Sequence, residues 1–337
     1  MADYVEIAVA ADANYFDGML VTVASVAINA SQDLDIRFHV LDGGIRDADY
    51  AFMVKRIVEL HPRATFARHV IDDSVFKDFP TWAGSGRMTY ARLLLPRLLP
   101  DVEHVLYLDC DILWTRDVAD IWREKRKDIV YQAVHENWPY ILKKESRWFA
   151  ARDLKFVPGE YLTAGLSFFN LGEFRRLRLD EKAMSFLSRH RDVQWVDQSA
   201  LNALIWTEEL PVSILTPDWA CTIWLMTDEI LSTHPVLHFA GTAPWKSLIY
   251  NRLLTDVMLE WYKVDAIVRR CSVWQSLRRH YSALRIISSR LIFKVAASGF
   301  LGKRIFRMLL TACGKSGACK DLETLLYRWP NRGVVVR

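Results

Sequence analysis

The chain has 337 residues, 44 Lys and Arg against 40 Asp and Glu, and is 51% hydrophobic and 25% charged, as expected of a folded soluble protein with room for one large α/β domain or two smaller ones. Its five cysteines are scattered and form no Cys-x-x-Cys pair, which argues against a disulfide framework or a cysteine zinc site and for reduced thiols in the cytosol. The start lacks a basic leader, against a secretory signal, and the longest apolar stretch, residues 291–310, is interrupted by Lys294, Lys303, Arg304 and Arg307, so no run reaches the roughly 18 residues that span a bilayer.

Residues 5–11 read as a short apolar strand, followed by a loop with Asp12, Asn14 and Tyr15. A helix rich in small apolar residues is expected over 19–30, a strand over 36–41 ending at Asp42-Gly43-Gly44, a helix over 47–60 and a strand over 65–71. This alternation at βαβ spacing predicts a mostly parallel sheet with helices on its faces, whose ligands bind beyond the carboxyl ends of the strands. A short helix is expected over 90–99 with Arg92 near its start, further strands over 129–134, 166–170 and 212–215, and helices over 180–190 and 199–205, the last opened by Asp197-Gln198. From residue 251 onward the chain reads as helical and basic.

The run His104-Val105-Leu106-Tyr107-Leu108-Asp109-Cys110-Asp111 ends a buried strand with two carboxylates one residue apart. In an extended segment Asp109 and Asp111 leave on one face and Cys110 on the other. Two unpaired carboxylates side by side are costly to bury, and a divalent cation removes that cost. A metal site that holds a phosphorylated substrate is one reading; a turn or helix cap is the alternative. Asp12 and Asp197 are open to the same cap reading, Arg92 to that of an exposed helix residue, and His238, between Leu237 and Phe239, to that of a core histidine.

Charge is unevenly spread. Residues 263–337 carry 16 Lys and Arg against 3 Asp and Glu, leaving 28 against 37 in the first 262. Val264, Ile267, Trp274, Leu277, Tyr281, Leu284, Ile287, Leu291 and Phe293 recur at helical spacing, with Arg278, Arg285 and Arg290 at the margins. An amphipathic basic helix of this kind is expected to dock on an anionic membrane surface, with packing against the domain as the alternative. No nucleic-acid motif accompanies the charge, and Gly314-Lys315-Ser316-Gly317 lacks the upstream glycine and strand of a phosphate loop.

Seven blocks carry a resemblance: Ala10-Ala11-Asp12-Ala13-Asn14-Tyr15, Phe38-His39-Val40-Leu41-Asp42, Thr89-Tyr90-Ala91-Arg92-Leu93, Tyr107-Leu108-Asp109-Cys110-Asp111, Tyr161-Leu162-Thr163-Ala164-Gly165, Asp197-Gln198 and His238-Phe239-Ala240-Gly241. In this order they resemble glycosyltransferase family 8, in particular its bacterial lipopolysaccharide galactosyl- and glucosyltransferases, with glycogenin and plant galacturonosyltransferases as more distant members. The resemblance implies a GT-A fold, a Rossmann-like mixed sheet, over residues 1–250, with residues 251–337 as a basic helical membrane-associating extension. It implies transfer of a hexose from UDP-galactose or UDP-glucose, with retention and with Mn²⁺, or Mg²⁺ in its place, to a saccharide acceptor, most simply lipopolysaccharide core or another lipid-linked glycan at the inner face of the cell membrane. The alternatives are a protein, polysaccharide or polyol acceptor, or a weakened UDP-sugar-binding relic.

Carried over by position, Asp109, Asp111 and His238 are the implied metal ligands. Ala10, Asp12 and Asn14 are placed on uridine, with Tyr15 stacked on its ring. Arg92 is expected between diphosphate and sugar, Ala164, Asp197 and Gln198 on the donor sugar, and a backbone amide near Gly241 at a phosphate. Arg92, Asp197 and Gln198 are the implied catalytic group, with Gln198 under the sugar's far face, and Glu136 is a candidate acceptor contact. Two departures stand out. The lysine that usually precedes Pro-Trp is absent, and Lys246 follows Trp245 instead; and Thr163 stands where family members carry Asn.

Overall fold

The computed structural model describes residues 4–81, 86–246 and 252–281. Its strands, in chain order, are β1 (Val5–Ala11), β2 (Ile36–Asp42), β3 (Ala64–Val70), β4 (His104–Leu108), β5 (Ile112–Leu113), β6 (Tyr131–His135), β7 (Leu162–Asn170), β8 (Val212–Leu215), β9 (Cys221–Thr222) and β10 (Leu237–His238). Seven of them form one mixed sheet in the order β3-β2-β1-β4-β7-β6-β8. The first four run parallel, β7 is antiparallel to both β4 and β6, and β8 returns parallel to β6. β1 has one polar residue, Glu6, because a central parallel strand is covered on both faces.

Alternate β1 residues feed two cores. Val5, Ile7, Val9 and Ala11 pack under the helix Phe16–Asn29 and beside Asp47–Leu60, whereas Ala8 and Ala10 face Ala91, Leu93 and Tyr107 and, beyond them, the helix Val196–Thr207. The segment expected as one helix over 90–99 is a 3₁₀ run, Arg87–Leu94, followed by a single α turn, Leu95–Leu98. Pro96 has no amide hydrogen and fits only a first turn, so the α turn restarts at Leu95. β7 begins at Leu162, four residues before the strand expected at 166, because Leu162 pairs with His135 of β6 ahead of the small residues Thr163, Ala164 and Gly165, after which Leu166 and Ser167 pair with Leu108 and Tyr107 of β4.

A second sheet, in the order β5-β10-β9, lies at the carboxyl end of β4. Against it packs the helix Arg252–Arg269, whose Val257, Met258, Trp261 and Tyr262 share a core with Val21, Leu113, Phe239 and Trp245. Arg56 Nε donates to Val268 O at 2.6 Å, and Arg269 pairs with Asp17 and with Asp265. Residues 252–281 are thus built into the domain.

The continuous amphipathic face expected from 263 onward is not formed in this part. The helix stops at Arg269, Arg270 takes φ +52°, and Ser272 and Gln275 make a capping box that starts a new helix, Val273–His280. Leu277 and Tyr281 are buried while Ile267 and Trp274 are about half exposed, at 49% and 47%. Leu284, Ile287, Leu291, Phe293, Arg285 and Arg290 lie outside the described residues. Among the described residues no helix is long and apolar enough to cross a membrane.

Candidate functional site

β4 is apolar after His104 and ends at Leu108; the chain then turns, with Ile112 N donating to Asp109 O at 3.2 Å. Asp109 and Asp111 therefore converge through a tight turn and not through the pleat of a continuing strand. Cys110, between the two carboxylates in the chain, is buried. Its thiol donates to Ala10 O at 2.9 Å, and burial, with the two flanking carboxylates, pushes its pKa well up. Asp109 N donates to Gly165 O at 2.7 Å and Phe239 N to Asp111 O at 2.9 Å. The antiparallel register His238↔Ile112 then brings the imidazole to the carboxylates.

One ligand atom from each of Asp109, Asp111 and His238 lies within 4.8 Å of the others, and His238 Nε2 is 3.3 Å from Asp111 Oδ1. Two carboxylate oxygens and an imidazole nitrogen suit a divalent transition metal better than Ca²⁺. Burial alone would lower the His238 pKa, but Asp111, Asp109 and Glu136 outweigh it and the net shift is upward. A proton and a metal would thus compete for the same nitrogen. A polar seam on the helix Phe16–Asn29 holds β5 in register. Thr22 Oγ1 donates to Ile112 O at 2.7 Å, Ser25 Oγ accepts from Trp114 N at 2.9 Å, and Asn29 Nδ2 donates to Trp114 O at 3.1 Å.

Gly165 makes the convergence sterically feasible. A Cβ there would lie 2.5 Å from His238 Cε1 and 2.8 Å from Asp109 Oδ2. Gly165 ends the Tyr161-Leu162-Thr163-Ala164-Gly165 motif, where its residue type alone signals no role.

Arg92 is buried, not an exposed helix residue. Its guanidinium pairs with Asp109 at 2.6 Å and Asp197 at 3.0 Å, donates to Ala164 O, and sits 4.2 Å above the Tyr107 ring. Burial would lower its pKa, but the two carboxylates reverse this and raise it, so the cation is fixed. Asp197 is not a cap: the helix begins at Val196 with Trp195 as N-cap, and Asp197 sits inside the first turn, accepting from Thr89 Oγ1 at 2.8 Å. Burial pushes the Asp197 carboxyl up, against the opposing pull of Arg92. Val196, β-branched, takes φ +38° beside these residues, a strained conformation at the cleft wall.

Gln198 Oε1 accepts from Ala164 N at 3.0 Å, and Asn202 bonds both backbone groups of Leu162, so the helix Val196–Thr207 is pinned to the start of β7. Beneath them Glu145 accepts from Tyr161 Oη at 2.7 Å and Ser199 Oγ at 2.6 Å, and burial pushes its carboxyl up to about 6. Glu136 is buried in the cleft wall and accepts from Trp138 N at 2.8 Å; burial raises its pKa against the hydrogen bond from that amide. Thr163 Oγ1, buried at the cleft, has no hydrogen-bond partner among the described residues.

At the other end Asp12 accepts from Asn14 N at 2.8 Å and Tyr15 N at 3.1 Å, closing the turn into the first helix. Asp12, Ala10 and Tyr15 line the cleft, whereas Asn14 is exposed and does not. Lys246 Nζ sits 3.5 Å over the Tyr15 ring, and burial lowers its pKa against Asp12 and Asp111. Gly241 adopts φ +72°, which favours glycine. The loop that carries Lys246 is clamped: Tyr262 and Tyr281 hydroxyls both donate to Pro244 O at 2.5 Å, and Trp245 lies so close to Gly18 that a Cβ there would meet it at 2.3 Å.

These residues enclose a cleft of about 430 Å³. All the expected site residues except Asn14 line it, together with Thr89 and Tyr107, which the motifs include without a role, and Thr222, Trp138 and Trp195, which no motif marks.

The family model described as "Glycosyl transferase family 8" matches residues 6–248. General stress protein A of Bacillus subtilis is 22% identical over 70% of this chain and 86% of its own, and lipopolysaccharide 1,2-glucosyltransferase of Escherichia coli K12 is 24% identical over 72% and 73%. Among solved structures, the galactosyltransferase LgtC, in complex with donor and acceptor sugar analogues, is 25% identical with a TM-score of 0.62, covering 77% of this chain and 95% of that one. The fold is that of the GT-A glycosyltransferases.

Proposed function

The chain belongs to glycosyl transferase family 8, and from that premise we propose that it transfers galactose or glucose from a UDP-sugar to a saccharide acceptor, with Mn²⁺ and with retention at the anomeric carbon. The observation that carries this reading is the convergence of Asp109, Asp111 and His238 in one cleft, over a buried Arg92. The mixed oxygen and nitrogen donor set, with Gly165 leaving space beside it, fits a bound divalent ion. When bound, such an ion supplies a Lewis acid that neutralises the diphosphate leaving group.

The chain's own residues do the rest. Arg92 pairs with Asp109 and aims it, and fixes Asp197 beside it. Gln198, tied to Ala164, offers an uncharged amide below the sugar, so front-face substitution needs no enzyme nucleophile at that position. Asp12 and Tyr15 are placed to hold uridine, and Lys246, over the Tyr15 ring, stands within the field of Asp111 to meet a phosphate from the clamped loop. The free Thr163 hydroxyl is a sugar contact in place of the family's Asn.

Similarity to a lipopolysaccharide 1,2-glucosyltransferase supports a lipid-linked glycan acceptor. The basic excess of residues 263–337 supports docking of the C-terminal region on an anionic membrane face. A chain ending after residue 281 keeps Leu277 and Tyr281 in the core and should lose binding to anionic vesicles; undiminished co-sedimentation would defeat the docking reading. The transfer reading is tested with UDP-galactose and UDP-glucose plus Mn²⁺, scored by UDP release with and without lipid-linked oligosaccharide. Release from neither donor would overturn it.

A further inference from the structure

The helix Pro139–Ala150 carries two faces of different purpose. Ile141, Glu145, Trp148 and Phe149 are buried. Tyr140, Lys143, Lys144 and Arg147 follow at i, i+3, i+4 and i+7, which places them in one stripe on the outer face. Tyr140 is 55% exposed, and Lys143, Lys144 and Arg147 are exposed as well. Among the described residues none of these three cations has a carboxylate within ion-pair distance, although the first 262 residues carry an excess of acid.

The stripe begins at the mouth of the cleft. Trp138 and Trp195 line the cleft, and Tyr140 bridges them, with ring centroids 5.8 Å from Trp138 and 6.2 Å from Trp195. Lys144 Nζ lies 5.8 Å from the Tyr140 ring, so the cationic stripe and the aromatic patch are continuous. The patch is tied to the reaction centre, because Trp138 N is bonded to the Glu136 carboxylate within the cleft. Aromatic faces cover the apolar C–H face of a sugar ring, and unpaired cations next to them select for a negative substituent on it.

We propose that the mouth of the cleft is an acceptor subsite for an anionic saccharide, with Trp138, Tyr140 and Trp195 supplying ring faces and Lys143, Lys144 and Arg147 the countercharge. This rests on reading the cleft as a sugar-transfer site and deepens it by naming the acceptor class. A neutral glycan would leave the three cations unmatched. A bare membrane surface would leave the aromatic patch, which opens inward on the cleft, without a use.

The test measures dissociation constants by calorimetry on the full chain saturated with UDP and Mn²⁺, for lactose, lactose 6′-phosphate and the corresponding 6′-uronate. Both anionic probes are expected to bind about tenfold more tightly than lactose at low salt, the size of one charge-assisted contact. K143Q/K144Q should bring the three constants together, and W138A should weaken all three alike. Equal affinity of the wild type for the three probes, a preference that survives K143Q/K144Q, or failure of every probe to bind would overturn the proposal. So would a K143Q/K144Q chain that loses sedimentation with phosphatidylglycerol vesicles while keeping its preference for lactose 6′-phosphate, since the stripe would then be a membrane contact. Wild-type UDP release from UDP-sugars is scored separately: its absence defeats the transferase reading itself, whereas its presence with any of the outcomes above defeats only the acceptor class.

Discussion

Gly165→Ala is the most searching small perturbation of the site. The added Cβ would lie 2.5 Å from His238 Cε1, 2.8 Å from Asp109 Oδ2 and 3.0 Å from His238 Nε2, where ordinary contact begins near 3.4 Å. The imidazole must therefore retreat by about 0.9 Å, several times the ~0.2 Å within which metal–ligand distances hold. The φ of Gly165 is not positive, so Ala itself fits the backbone and the strain falls on the two ligands. A loss of about 10- to 100-fold in Mn²⁺ affinity follows, or about 1.4–2.7 kcal/mol. The assay is Mn²⁺ titration followed by electron paramagnetic resonance of the free ion, with circular dichroism to show that the fold persists. A G165A chain that folds and binds Mn²⁺ within about threefold of wild type would refute the steric reasoning.

Glu145 gives a pH signature. Its folded pKa, about 6, lies above the ordinary 4.5, so its contribution is fully present below pH 4.5 and is lost as pH rises through 6. Relative to E145Q, which cannot ionise, the wild type should lose about 2 kcal/mol between pH 4.5 and 8 in urea denaturation; a pH-independent difference would contradict this. R92M leaves Asp109 and Asp197 without their buried partner and should cost about 3–5 kcal/mol of stability, measured the same way. Y262F/Y281F removes both donors from Pro244 O; it should cost about 1–3 kcal/mol and weaken UDP binding through the freed Lys246 loop, read by calorimetry.

The sheet was legible where local pattern and burial agree. β1, β2 and the helix Asp47–Leu60 lie within a residue of their expected bounds, because these parallel strands are mostly apolar and the helix keeps its period. The donors of the metal cluster were legible as residue types, but the way they meet was not. The turn at Asp109–Asp111 and the pairing of His238 with Ile112 join segments more than a hundred residues apart. Asp197 looked like a cap because Asp often is one; Trp195 takes that place, and Arg92 draws the carboxylate inward. Trp138 and Trp195 carry no periodic signal, so their place at the cleft mouth emerges only once Pro139–Ala150 packs beside Val196–Thr207. Farther on, Ser272 reads as an ordinary polar residue, yet its capping box with Gln275 splits what looked like one basic helix.

In the proposed reaction Asp109, Asp111 and His238 hold the ion that makes UDP a leaving group. Asp111→Ala removes one ligand without touching the Arg92 pairs, which belong to Asp109 and Asp197. UDP release from UDP-galactose and UDP-glucose, titrated with Mn²⁺, is the direct measurement. Metal-dependent release is expected in the wild type and none above background in D111A; full, Mn²⁺-stimulated release by a folded D111A chain would overturn the assignment of Asp111 as a ligand.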